Sequence, residues 1–232
     1  MGKMIRLKAK DGFELGAYRA DPTGAPKGGI VVIQEIFGVN HHIKSLCDQY
    51  AKEGYTCIAP AIYDRAERDV DLGYDEDARK KGFGLRQKID WPVIEADVDA
   101  ARAELEKSNV GKIGIIGYCF GGSVVWKACV DLNGFAAGVS FYGGQVPEFK
   151  DLKAKCPVQF HFGEEDQGIP VAKVEDFKKA HPEAPVHIYK GAGHGFTCDE
   201  RGSFHKEAAD TSKKRALEFF GQHLTGPARK AA

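Results

Sequence analysis

Apolar positions along the chain follow two alternating periods. GGIVVIQE, residues 28 to 35, is an unbroken β-branched run bounded by glycine, which predicts a short strand buried on both faces. The following NHHIKSLCDQYAKEGY instead sets Ile43, Leu46, Cys47 and Tyr50 at helical spacing, with Asn40 placed to cap the start and Gly54 to stop it. TCIAP (56–60) returns to strand. A helix opens at DWPVIEADVDAARAEL, and from KIGII onward the order is strand, helix over about 121–130, strand AAGVSFYGG, strand CPVQFHFG, helix VAKVEDFKKA, strand VHIYKGAGH and a last helix within HKEAADTSKKRALEFFGQHL. Strands that alternate with helices predict an α/β fold, a mostly parallel twisted sheet with helices on both faces. Residues 63–89 break the rhythm: they are charge-rich, weakly periodic and carry glycines at 73, 82 and 84, as a lid or excursion over the sheet would. The tail TGPARKAA is expected to fray.

Composition narrows the function classes. With 232 residues, 43% hydrophobic and 28% charged, the chain is long enough for a full core and is expected to form one domain, 1–232. Its 33 basic and 33 acidic residues cancel, so no net field draws nucleic acid or an anionic membrane. The start lacks the apolar core of a secretory signal and no run is long enough to span a bilayer, which points to a cytoplasmic protein. The six cysteines form no C-x-x-C pair, and the adjacent His41 and His42 do not aim two imidazoles at one ion on a helix, so neither a metal nor an organic cofactor is expected. Nothing in the sequence sets the oligomeric state.

One short motif carries chemistry. In GIIGYCFGG the segment Gly117-Tyr118-Cys119-Phe120-Gly121 matches G-x-nucleophile-x-G, the tight strand-to-helix turn that raises a nucleophile and admits only small neighbours. The alternative, a glycine-rich phosphate turn with an incidental cysteine, fits less well: G-x-G-x-x-G is not matched and no G-K-[ST] follows. A thiol nucleophile needs a base and the base an orienting acid, in chain order nucleophile, acid, histidine. HFGEEDQGIP supplies Asp166 after one strand, with Glu164 and Glu165 as local competitors, and YKGAGHGF supplies His194 after the last. A surface carboxylate and a solvated loop histidine are the plain alternatives, but three candidates in order, each just beyond a strand, favour a triad. Glu35, at the end of an apolar strand, needs a partner to offset its burial.

Through QEIFGVNHHI, GYCFGG, HFGEEDQGIP and GAGHGF the chain resembles the dienelactone hydrolase family of α/β-hydrolases over nearly its whole length. The resemblance implies a catalytic triad of Cys119, Asp166 and His194 and an oxyanion hole from the backbone N–H groups of Ile36 and Phe120. It also implies that Glu35 pairs with the resting Cys119 thiol and helps to form the thiolate when substrate arrives. The family's small, anionic lactone calls for arginine clamps. Arg79 occupies one such position, whereas Cys198 stands where the second is expected, leaving Arg201 to reach the site by a different backbone path. Aromatic residues that shape the family pocket are replaced, with Phe83 and Arg86 in that region, and Phe83 and Tyr142 join the two arginines as candidate substrate-binding residues. These departures keep the expected reaction, hydrolysis of dienelactone to maleylacetate through a thioester, but leave open a broader carboxylesterase or thioesterase. A non-catalytic thiol sensor is the third reading, one that has no need of the assembled triad.

Overall fold

β3 (Gly29–Ile33) and β5 (Ile113–Tyr118) are buried along their whole length, as their unbroken apolar runs predict, and pair in parallel at the centre of an eight-stranded sheet. The computed structural model describes residues 1–225; the tail expected to fray lies, from residue 226, outside the described residues. Strand order is β1 (Lys3–Lys8), β2 (Glu14–Ala20), β4 (Thr56–Pro60), β3, β5, β6 (Phe135–Phe141), β7 (Val158–Gly163), β8 (Val186–Tyr189). β1 and β2 run antiparallel to their neighbours and the rest are parallel. The chain leaves β4 on one side of β3 and returns on the other as β5. This reversal opens a crevice beyond the carboxyl ends of β3 and β5, the place where sheets of this kind bind ligands.

Helices cover both faces. Alternation along β5 points Gly114 at Phe220 and Leu224 of α6 (Lys206–Leu224), and Gly117 at Val125 of α4 (Phe120–Asp131) on the other side. α1 (His41–Lys52) joins the α6 layer through a hydrogen bond from Lys213 Nζ to Gln49 Oε1, and α3 (Trp91–Lys107) packs with α4. The Asn40 cap is as the sequence predicts: the Ile43 N–H donates to Asn40 Oδ1 at 3.3 Å. α5 (Val171–Ala180) coincides with its predicted run.

Three features depart from the sequence pattern. The β1–β2 hairpin is not predicted, because Glu14–Ala20 buries small Ala17 and Ala20 where strands usually show β-branched residues. β6 ends at Phe141, where Tyr142 turns to φ +37°, and β8 ends at Tyr189, freeing 190–205 as loop. The 63–89 excursion holds a 3-10 turn, Ile62–Arg65, and a true helix, α2 (Glu76–Arg86), capped by Asp75, whose Oδ1 accepts the Ala78 N–H at 2.8 Å. No helix among the described residues is long and apolar enough to cross a membrane.

Candidate active site

Cys119 sits between β5 and α4 at φ +56°, ψ −118°, a left-handed conformation that a non-glycine residue holds only under strain of about 1–3 kcal/mol. Two backbone bonds fix it, Cys119 N–H to the Phe141 carbonyl at 3.0 Å and Gly122 N–H to the Cys119 carbonyl at 2.9 Å. Glycine is required on both sides of the bend. A Cβ on Gly117 would collide with the Gly121 carbonyl, and one on Gly121 would lie 2.5 Å from the Ile33 carbonyl oxygen. Cys119 is partly exposed, as is Cys156, whereas Cys47, Cys57, Cys129 and Cys198 are buried.

The other two expected triad members meet beside it. Asp166 follows β7, is almost wholly buried, and accepts the Gly168 N–H on Oδ1 at 2.9 Å. Its Oδ2 takes the Nδ1–H of His194 at 2.7 Å, which leaves Nε2 for the sulfur. Of the local competitors, Glu164 instead accepts the Gly191 N–H at 3.1 Å, and Glu165 is exposed. Burial pulls the His194 pKa down, but the adjacent Cys119 sulfur and the Asp166 carboxylate outweigh it and hold the imidazole up at about 10.

The missing Cβ of Gly121 lets the start of α4, where Phe120 is the first residue, close on the Ile33 and Gln34 carbonyls at the end of β3, two residues before Ile36. Neither the Ile36 nor the Phe120 N–H donates to a loop or side-chain acceptor among the described residues. Helix α2 caps this region. Gly82 packs on the Ile36 carbonyl with no room for a Cβ, and the Tyr63 hydroxyl donates to the Gly82 carbonyl at 3.2 Å.

Glu35 is fully buried, and its carboxylate finds partners other than the thiol. Arg201 Nη1 donates to Oε1 at 3.0 Å and the Tyr74 hydroxyl to Oε2 at 3.1 Å. Arg201 does arrive by a different backbone path: its guanidinium fills the space over Gly195, at φ +76°, directly after His194. Of the residues expected as pocket walls and clamps, Tyr142 is buried and Arg79 and Phe83 are exposed. Tyr142 has no exposed surface; its ring backs His194 at 5.1 Å and its hydroxyl bonds Thr197 Oγ1 at 2.6 Å, so it props the base rather than touching substrate. Arg79 and Phe83 lie one turn apart on the open side of α2, with Phe83 52% exposed. Arg86 comes closer to the reacting groups. Half-buried, it lies 4.8 Å from the ring of Phe120 and 5.0 Å from that of Trp91, with one N–H on the Ile89 carbonyl at 2.6 Å and no carboxylate within ion-pair distance among the described residues. Tyr63, stacked on Phe120 at 6.2 Å, and Tyr74 carry no sequence signal, since each is one aromatic in an aperiodic stretch.

Two concavities flank the triad without including it. One, of about 650 Å³, is bordered by Tyr74, Asp75, Glu200 and Arg201; the other, of about 200 Å³, by His42, Thr197, Asp199 and Lys213 among others. Between them one ligand atom each of Glu35, His42 and Cys198 falls within 4.8 Å of the others, the buried set best suited to a metal ion.

The family model described as the Dienelactone hydrolase family matches residues 15–224. A Synechocystis protein named "Putative carboxymethylenebutenolidase" is 34% identical over 230 residues, 91% of this chain and 93% of that relative. The "Carboxymethylenebutenolidase" of Pseudomonas putida is 31% identical over 224 residues, 93% of this chain and 94% of its own. A crystal structure from Klebsiella pneumoniae titled "Putative Dienelactone Hydrolase" superposes with a TM-score of 0.83 at 28% identity, covering 96% of this chain and all of that one. With the family pattern running through almost every element of an α/β-hydrolase sheet, the chain is a hydrolase that belongs to the dienelactone hydrolase family.

Proposed function

We propose that the chain hydrolyses a small anionic ester or lactone, of the kind represented by dienelactone (carboxymethylenebutenolide), with Cys119 as nucleophile. The observation that carries this is a sulfur on a strained elbow beside an imidazole whose Nδ1 is fixed to Asp166 at 2.7 Å. Cys119 Sγ adds to the carbonyl carbon, and the Ile36 and Phe120 N–H groups take the developing oxyanion. Collapse breaks the acyl C–O bond, and the His194 imidazolium passes its proton to the leaving oxygen, which in a lactone stays tethered to the acyl chain. His194, now neutral, removes a proton from water as the water attacks the thioester, and the second collapse restores the thiolate and imidazolium. With dienelactone the product is maleylacetate.

Arg201 already neutralises Glu35, so the carboxylate of an anionic substrate is better met by Arg86, which has a free guanidinium edge beside Phe120, with Arg79 further out. The same commitment of Arg201 favours, as a second reading, a broader carboxylesterase or thioesterase. Steady-state rates on dienelactone isomers and on neutral esters separate the two: Arg86→Ala should raise KM for the anionic lactone and leave neutral esters unaffected. Cys119→Ala should abolish turnover of every substrate while its far-UV circular dichroism stays that of the folded chain, and undiminished hydrolysis by that variant would rule the mechanism out.

A further inference from the structure

The Glu35 pocket contains more chemistry than the hydrolytic cycle uses. His42, on α1, is 96% buried by its 4% exposure, yet its Nε2 has no hydrogen-bond partner. Leaving a buried imidazole nitrogen unpaired costs about 1–3 kcal/mol, so the position calls for a partner that protein atoms do not supply. A nitrogen of this ring, the Cys198 sulfur and a Glu35 oxygen lie mutually within 4.8 Å, all three residues being buried. Thiolate, imidazole and carboxylate together are the donor set of zinc, whose bonds of about 2.0–2.3 Å would draw the three atoms in by roughly 1 Å. A path inward exists too. His42 and Asp199 border the smaller concavity, and His42 forms a second candidate set with the exposed Asp199 and Glu200, where a cation could first be held.

We propose that Glu35, His42 and Cys198 form a reversible binding site for a thiophilic divalent cation, Zn²⁺ by its donor set, reached past Asp199 and Glu200. Binding expels the Cys198 thiol proton to solvent and creates a metal–thiolate bond, with no change of oxidation state. Occupancy draws Glu35 away from Arg201, and if the hydrolytic reading holds, it lowers turnover.

Co²⁺ serves as the probe, because a thiolate-to-cobalt absorption band reports a sulfur ligand without any assay of activity. The full chain and its Cys119→Ala variant should both develop the band. Cys198→Ala and Cys198→Ser should lose it, and His42→Gln should bind at least about tenfold more weakly. Far-UV circular dichroism of each variant checks that it is folded, with two replacements at 198 guarding against one that is not. A band absent from the unaltered protein, persisting without Cys198, or lost with Cys119 would overturn the proposal. Zn²⁺ inhibition of ester turnover that disappears in the Cys198 variants tests the consequence separately; if no ester is turned over at all, the hydrolytic reading fails while the Co²⁺ result stands.

Discussion

Each residue of the site is tuned by one or two neighbours, so single substitutions should report on named contacts. The His194 pKa of about 10 lies above the ordinary 6.5, so its contribution to stability is complete below about 6.5 and is lost as pH rises through about 10. The imidazole resonances should therefore titrate near 10, and fall toward the ordinary value in Cys119→Ala, which removes the sulfur. Asp166→Asn withdraws the carboxylate that receives Nδ1–H, and kcat/KM should drop roughly 10²–10⁴-fold with little change in KM. At Glu35 the effect is on folding. Arg201→Ala leaves a fully buried carboxylate with Tyr74 as its remaining partner and should cost about 3 kcal/mol in urea denaturation, most of it recovered when Glu35→Gln is added. Legibility at this scale followed chemistry. Cys119, Asp166 and His194 announce themselves by residue type beside glycines, whereas Arg86 and Tyr74 matter only through what the fold places next to them.

Between elements, the site depends on how closely α4 and α2 approach the end of β3. Both approaches are made by glycines, Gly121 against the Ile33 carbonyl and Gly82 against that of Ile36. Gly121→Ala should therefore push the helix start away from the strand, costing about 2 kcal/mol or more in stability and lowering kcat by displacing the Phe120 N–H. Urea melts and kcat on the same preparation would show the two losses together. Loss of stability with full kcat would mean that Phe120 is not an oxyanion donor. Elements with a strong period were legible: β3, α1, β4, β5, β7, α5 and α6 stand where the apolar pattern predicts. The hairpin β1–β2 was not, because its register with β4 is what makes small residues on its inner face sufficient. α2 was obscured by its two glycines and by charges on its open side.

Across the whole molecule, Arg65 is one of the residues that tie the unpredicted hairpin to the helical layer. Arg65 reaches Asp11 in the β1–β2 turn at 2.6 Å and Asp97 of α3 at 2.6 Å, and its guanidinium covers the ring of Phe13 at 4.1 Å. Asp97 has no exposed surface, so Arg65→Ala should strand a buried charge and lower stability by about 3 kcal/mol, seen as an earlier urea midpoint at unchanged slope. Asp97→Ala in the same background should restore part of the loss.

The sequence by itself determined the class of fold and the identity of the candidate sulfur, imidazole and carboxylate, whereas the reversal in strand order that opens the crevice came from the sheet itself. The fold class and the three residues follow from periodicity and from residues adjacent in the chain, where bond geometry leaves few choices. Only the tertiary structure decided that Arg201 neutralises Glu35, that Tyr142 supports the base from behind, and that His42 meets Cys198, 156 positions along the chain. Such pairings depend on which side chains share a small volume after the sheet has twisted and the loops have closed. No local pattern encodes that.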